Sequence, residues 1–256
     1  MVPAGKGLFL RRTTGAEAFA RFLRAQGFTF VAPFDRELIR QLPALAPFYR
    51  AQGLRVYPIL YNHMATWQQE LEQLVGAATA AEADGIILNP EVTFKDHEAA
   101  AQSFMRTARS MWSRALGIAT YPRTRFHPTF PWRVFARYAD FGLPLTFDRD
   151  DAWSKADVVT GIREWHEVGF KPLILGAGAY SMRGSEFRTK TPAELRRHLA
   201  TLPPCRGACV FSLPDFQASP EDYPEQWAIL KRWDPQRMPA LVRATPFGRL
   251  FWQGQL

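Results

Sequence analysis

The sequence predicts an α/β protein folded as a single (β/α)8 TIM barrel with a C-terminal extension. Three observations carry that expectation. Eight short β-rich runs alternate with amphipathic helical stretches from residue 7 to residue 233. The runs are continuous Val/Ile/Leu-rich segments, as expected when helices cover the sheet, rather than polar-apolar alternations. No break in composition divides the chain, so the βα units read as one domain.

The strand runs, in order, are "GLFLR" (7–11), "FTFVAPF" (28–34), "LRVYPILY" (54–61), "DGIILNPE" (84–91), "ALGIATY" (115–121), "GLPLTFD" (142–148), "KPLILGAGAY" (171–180) and "GACVFSL" (207–213). Between the first two lies "GAEAFARFLRAQG", in which Phe19, Phe22 and Leu23 fall at the i, i+3, i+4 spacing of one helical face. "WQQELEQLVGAATAAEA", "DHEAAAQSFMRTARSMWS", "FPWRVFARYA", "DVVTGIREWHEVG", "TPAELRRHLATL" and "YPEQWAILKRW" repeat the design after later strands. Gly27, Gly53 and Gly169 stand just before strands, where a left-handed helix cap is expected. The barrel is expected over 1–233. The remainder, 234–256, has Pro235, Pro239 and Pro246 and an apolar end at Leu250, Phe251 and Trp252. It reads as a tail that packs on the barrel or docks to another subunit.

Composition narrows the function classes. With 256 residues, 47% of them apolar, the chain can bury a sizeable core. The net charge of +8 comes from Arg spread along the chain without a polybasic block, so a solvated basic surface is expected and nucleic acid is not expected as a partner. The two cysteines, Cys205 and Cys209, have no neighbouring ligands, and the five histidines are scattered. No metal and no cofactor are therefore expected. The apolar run near the N-terminus, "LFL", is shorter than a signal peptide's core, and no segment reads as a membrane span. Cytoplasmic synthesis is the expectation, with release by lysis or incorporation in a particle as routes outward.

In such barrels the chemistry sits at the C-terminal ends of the strands. The polar residues expected there are Asp35, Tyr61, Asn62, His63, Asn89, Glu91, Tyr121, Asp148, Asp150, Tyr180 and Asp215. On the fourth run the two-residue period puts Ile87, Asn89 and Glu91 on one side, pointing up the barrel axis. A carboxyl beside an amide, partly dry under aromatic cover, has its pKa raised and can act as a general acid. The loop "TYPRTRFHPTFPW" offers Tyr121, Phe126, His127, Phe130 and Trp132 as an aromatic platform for sugar rings. "GAGAYSMRG" (176–184) is Gly-rich but lacks the spacing of a dinucleotide fingerprint.

"DGIILNPE" resembles the strand-4 signature of family 18 chitinases, D-G-x-D-x-D-x-E: Asp84, Gly85 and Glu91 match, while Ile87 and Asn89 replace the middle acids. It is also similar to the N-x-E pair of family 85 endo-N-acetylglucosaminidases and, with an Asn for the Asp, to the D-x-E pair of family 25 lysozymes. "LTFD" (145–148) resembles the chitinases' M-x-Y-D, with Asp148 matching and Phe147 replacing the Tyr. The resemblance is at superfamily level. It implies a barrel acting on N-acetylated glycans of peptidoglycan or chitin type, with Glu91 as general acid, Asn89 orienting the substrate's acetamido group and Asp148 assisting. Asp35, Tyr61, Tyr121 and Asp215 are then expected to contact sugar hydroxyls. The alternative expectation is a catalytically inactive barrel that binds glycan or serves as a structural component of a larger particle, such as a phage tail.

Overall fold

The computed structural model describes residues 1–12, 15–146, 154–183 and 186–237. The first strands and helices are β1 (Gly5–Leu10), α1 (Ala16–Ala25), β2 (Phe30–Pro33), α2 (Arg36–Ala51), β3 (Arg55–Val56), β4 (Ile59–Asn62) and α3 (Trp67–Ala80). They are followed by β5 (Gly85–Pro90), α4 (Glu98–Met111), β6 (Ala115–Thr120), α5 (Trp132–Tyr138), β7 (Phe141–Pro144) and α6 (Lys155–Glu167). The last part holds β8 (Leu175–Gly178), β9 (Tyr180–Arg183), β10 (Glu186–Thr189), α7 (Pro192–Thr201), β11 (Gly207–Phe211), α8 (Pro214–Ala218) and α9 (Pro224–Arg232).

The parallel strands form a closed circuit. β1 pairs with β2, β2 with β3, β4 with β5, β5 with β6 and β6 with β7. β8 pairs with β11, and β11 returns to β1 through registers such as Gly7 opposite Cys209. Two single parallel bridges complete the ring, Phe34 with Ile59 and Gly142 with Leu173. The third predicted strand is thus split into β3 and β4 around Tyr57 and Pro58, because a proline has no N–H to donate to the ladder. The expected run 171–180 ends early at Gly178. Its continuation folds into an antiparallel hairpin, β9 with β10, which stands apart from the parallel ring.

Period-two alternation sorts side chains between two cores. Phe9 of β1 and Ile87 of β5 face into the barrel with Phe30, Tyr57, Ile59, Phe141, Leu143 and Ile174. Leu8, Leu10, Ile86 and Leu88 face the helices. The barrel interior is filled by rings lying over glycines. A Cβ on Gly7 would sit 2.1 Å from Phe30, and one on Gly117 would sit 2.2 Å from Phe141. Large aromatics and absent side chains are therefore complementary choices on neighbouring strands.

Helix α2, whose end the cap expected at Gly53 implies, contains Pro43 and Pro47. Both prolines lie on its exposed side while Leu38, Ile39, Leu42, Leu45, Ala46 and Tyr49 are buried. Burial of that stripe outweighs the two lost backbone bonds. The expected glycine caps are present. Gly27, Gly53 and Gly169 have φ of 79°, 70° and 109°, and the residue after each donates back across the last turn, as Phe28 N does to Leu23 O at 3.1 Å. Capping boxes start α6 (Ser154 with Asp157) and α7 (Thr191 with Glu194).

At the N-terminal end of the barrel, buried Lys6 donates to the carbonyls of Leu230 and Trp233, closing the C-terminal end of α9. The start of the tail continues there: Pro235 O accepts from Cys205 N at 2.9 Å, and Gln236 Nε2 donates to Arg206 O at 2.9 Å. The remainder of the tail, 238–256, lies outside the described residues. Among the described residues no helix is long and apolar enough to cross a membrane, and no group of three or more His, Cys, Asp or Glu side chains is placed to hold a metal ion.

Candidate active site

Strand β5 sets the site. Because Ile87 packs inside the barrel, the next residue on the same side, Asn89, stands at its mouth, and Glu91 follows past the strand's end. Asn89 is 5% exposed and lies in register with Tyr61 of β4. Its backbone N–H donates to Asn62 Oδ1 at 3.0 Å, and Asn62 is itself fully buried. The Asn89 amide is assigned with its nitrogen toward two acceptors, Ala119 O at 2.6 Å and Glu91 Oε1 at 3.3 Å. One amide hydrogen anchors the side chain to β6 and the other holds the carboxyl of Glu91.

Glu91 opens a single 3₁₀ turn, Val92–Phe94, which Phe94 pins by stacking on Phe104 in the outer core. Burial pushes the Glu91 carboxyl above the ordinary carboxylate range, and the hydrogen bond from Asn89 opposes the shift without cancelling it. No Arg or Lys pairs with Glu91 among the described residues, so the rim ion pair that would hold it ionised is absent there. Tyr61 and Tyr121 flank it. Both phenols are pushed up, chiefly by burial and then by the charge of Glu91. Glu91 thus holds its proton more tightly than an exposed carboxyl does, in a half-dry mouth lined by hydroxyls.

The loop after β6 supplies a further layer. His127 stacks on Tyr121 with ring centres 3.6 Å apart, and Lys95 sits 5.4 Å from the centre of the same Tyr121 ring. Burial, then Lys95, holds His127 below its usual range, so it is a neutral ring near pH 7. The expected five-residue platform is only partly present. Phe130 and Trp132 are 2% and 5% exposed and pack against Phe135 and Trp165 between barrel and helices. Only Tyr121, His127 and the exposed Phe126 remain toward solvent.

The other expected contacts are distributed differently. Asp35 caps α2, its Oδ1 accepting from Leu38 N at 2.8 Å, with φ of 122° at the end of β2. Asp215 is exposed in the first turn of α8. Neither is brought against Glu91. Asp148, like Phe147 and Asp150, lies outside the described residues. Tyr180 is at the mouth but on the opposite side, 5.2 Å ring to ring from Phe211.

Sequence reasoning missed Arg11 and Gln217. Gln217 is fully buried, donates to Phe9 O and Ser212 Oγ, and accepts from Arg11 N. The signal for Arg11 was present, since Gly7, Phe9 and Arg11 share one side of the first run. Gln217 carried none, because its helix is only five residues long and its neighbours are distant in sequence.

The geometry therefore presents a half-buried carboxyl beside a fixed amide and two phenols at the C-terminal face of a barrel. No protein-family model and no curated protein sequence matches the chain. Solved structures do match in shape. The spore cortex-lytic enzyme SleL of Bacillus megaterium QM B1551 superposes with a TM-score of 0.62 at 12% identity, over 89% of this chain and 73% of that one. A class V chitinase from Pseudomonas fluorescens Pf-5 gives 0.55 at 13% identity, over 86% and 99%. The O-GlcNAc hydrolase of Thermobaculum terrenum gives 0.52 at 13% identity, over 88% of this chain and 61% of that one. At such identities the likeness is one of fold: the chain is a (β/α)8 barrel.

Proposed function

We propose that the barrel hydrolyses N-acetylated glycans of the peptidoglycan or chitin type, with Glu91 as the general acid that protonates the departing glycosidic oxygen. The observation that carries this reading is the state of Glu91: a carboxyl at the end of the fourth barrel strand, raised by burial, hydrogen-bonded on one oxygen by Asn89 and free of cationic partners among the described residues. An acid near neutral pH is what leaving-group protonation needs. The fold neighbours, a spore cortex-lytic enzyme, a chitinase and an O-GlcNAc hydrolase, support the substrate class.

In this reading Glu91 first donates its proton and afterwards, as carboxylate, takes one from the incoming water. The Asn89 bond to Oε1 leaves the other oxygen to carry the proton, and it steadies the ionised form between the two steps. Among the described residues no second carboxylate contributes to the state of Glu91, so the reading relies on the substrate's own acetamido oxygen as nucleophile, with Asp148, which lies outside the described residues, assisting it. In the same reading Tyr61 and Tyr121 offer their hydroxyls to the sugar.

The test is a turnover assay of wild type and Glu91→Gln on labelled peptidoglycan and on chitooligosaccharides. Hydrolysis by wild type and its loss in the variant supports the reading. Equal, negligible turnover by both sinks it, and binding retained in that case supports the alternative of a glycan-binding or structural barrel.

A further inference from the structure

The two arginines that follow β1 have different surroundings. Arg12 lies over the Phe19 ring of α1 and donates to the backbone carbonyls of Gln217 and Ala218, so its guanidinium is committed to holding α1 and α8 together. Arg11 faces the other way, onto the barrel mouth, with its guanidinium carbon 5.6 Å from the centre of the Phe211 ring. Its Nε is buried and makes no hydrogen bond, and no carboxylate lies within ion-pair distance of it among the described residues. Its backbone is held in place, since Arg11 N donates to Gln217 Oε1 at 2.9 Å and Gln217 is fully buried. A cation so positioned, with one donor edge dry and unsatisfied, is costly unless an acceptor arrives.

An aromatic row surrounds it. Phe211 packs against Phe9 at 5.5 Å, Phe34 at 5.7 Å and Tyr180 at 5.2 Å between ring centres. Tyr180 in turn packs at 5.8 Å against Phe187, which is 57% exposed on the β9–β10 hairpin. The row runs from the barrel interior to solvent on the side away from Glu91. Ring faces suit the apolar face of a sugar, and the planar guanidinium fork suits a carboxylate.

We infer that Arg11 and the Phe211–Tyr180–Phe187 row form a subsite for a carboxylate-bearing sugar, so that the glycan taken by this barrel is anionic at a unit remote from the cleaved bond. The inference rests on the glycan reading above but not on hydrolysis. Hydrogen bonding to a charged partner at a partly dry site corresponds to a preference of about ten-fold or more for the acid over its neutral analogue.

The test uses the full chain carrying Glu91→Gln and three probes measured by calorimetric titration: a β-linked N-acetyl disaccharide bearing a 3-O-lactyl carboxylate, the same disaccharide with that carboxylate reduced to the alcohol, and a uronate-containing disaccharide. Tighter binding of either acid than of the alcohol is expected, and which acid is preferred identifies the source of the carboxylate. Adding Arg11→Gln is expected to bring the acids down to the affinity of the alcohol while leaving the alcohol unchanged. Equal binding of acids and alcohol, binding of none, or a preference that survives Arg11→Gln overturns the inference. If Arg11→Gln fails to fold, the parent's preference for the acid must still shrink with added salt, and a salt-independent gap counts against it. Wild type that never turns over while the preference persists sinks the hydrolase reading alone. Turnover without the preference sinks the subsite alone.

Discussion

The two sides of the barrel mouth are built on opposite principles. On the β4–β6 side, polar groups are buried and tied to one another: Asn62 to Asn89, Asn89 to Ala119 and Glu91. On the β11–β1–β2 side, aromatic rings fill the mouth and one arginine lies over them. The first arrangement controls a proton, since burial and a single donated hydrogen bond set the state of one carboxyl. The second supplies area and a charge, which in the proposed reading hold a ligand without acting on it. A barrel brings both within one opening because all its parallel strands end at the same face, whatever their neighbours carry.

That division can be broken by substitution, and the largest effect is expected at Glu91. Glu91→Gln should lower turnover of an N-acetylated glycan by about 10²–10⁴-fold, the usual worth of a positioned acid, with binding retained. Steady-state rates and calorimetry read both. Next in size, Phe9→Ala should cost about 3–5 kcal/mol of stability, because the ring is 1% exposed and packs between Phe34 and Phe211. Urea unfolding measures it, and a titration of Glu91 that stays in place would show that the two sides are independent.

Asn89→Ala should push the Glu91 pKa higher still, because it removes the one donor that favours the carboxylate. The corresponding limb of the pH–rate profile then moves to higher pH, and turnover falls by about ten-fold. A limb that moves down would show that Asn89 does not donate to Glu91.

The smallest effect concerns stability. The folded state holds the Glu91 proton more tightly than the unfolded chain does, whose pKa is near the ordinary 4.5. Wild type therefore has its full share of stability below that value and loses it as pH rises through the raised folded value. Glu91→Gln has nothing to lose, so its melting temperature should exceed that of wild type at neutral pH, and the gap should close on acidification. A gap that widens toward low pH would mean that Glu91 is stabilised as a carboxylate.

Much of this was legible along the chain. Continuous apolar runs separated by amphipathic helices, with glycines at 27, 53 and 169, determine the eight βα units, because period and cap chemistry act over a few residues. The same local reasoning places Asn89 and Glu91 on the inward side of the fourth strand. It failed where distant residues decide. For α2 the chain marks only the end, at Gly53, and the helix continues through Pro43 and Pro47 because the outer core receives its apolar stripe. Phe130 and Trp132 leave the expected platform because Phe135 and Trp165 offer them burial. Asp35 turns to α2, whose first turn needs a cap. The partners of Arg11 are Phe211 and Gln217, some two hundred positions along the chain, which only closure of β11 onto β1 brings together. Sequence by itself determined that Asn89 and Glu91 follow the inward side of the fourth strand. The closed ring decided which groups meet at the mouth, because burial and hydrogen bonding depend on neighbours that only folding supplies.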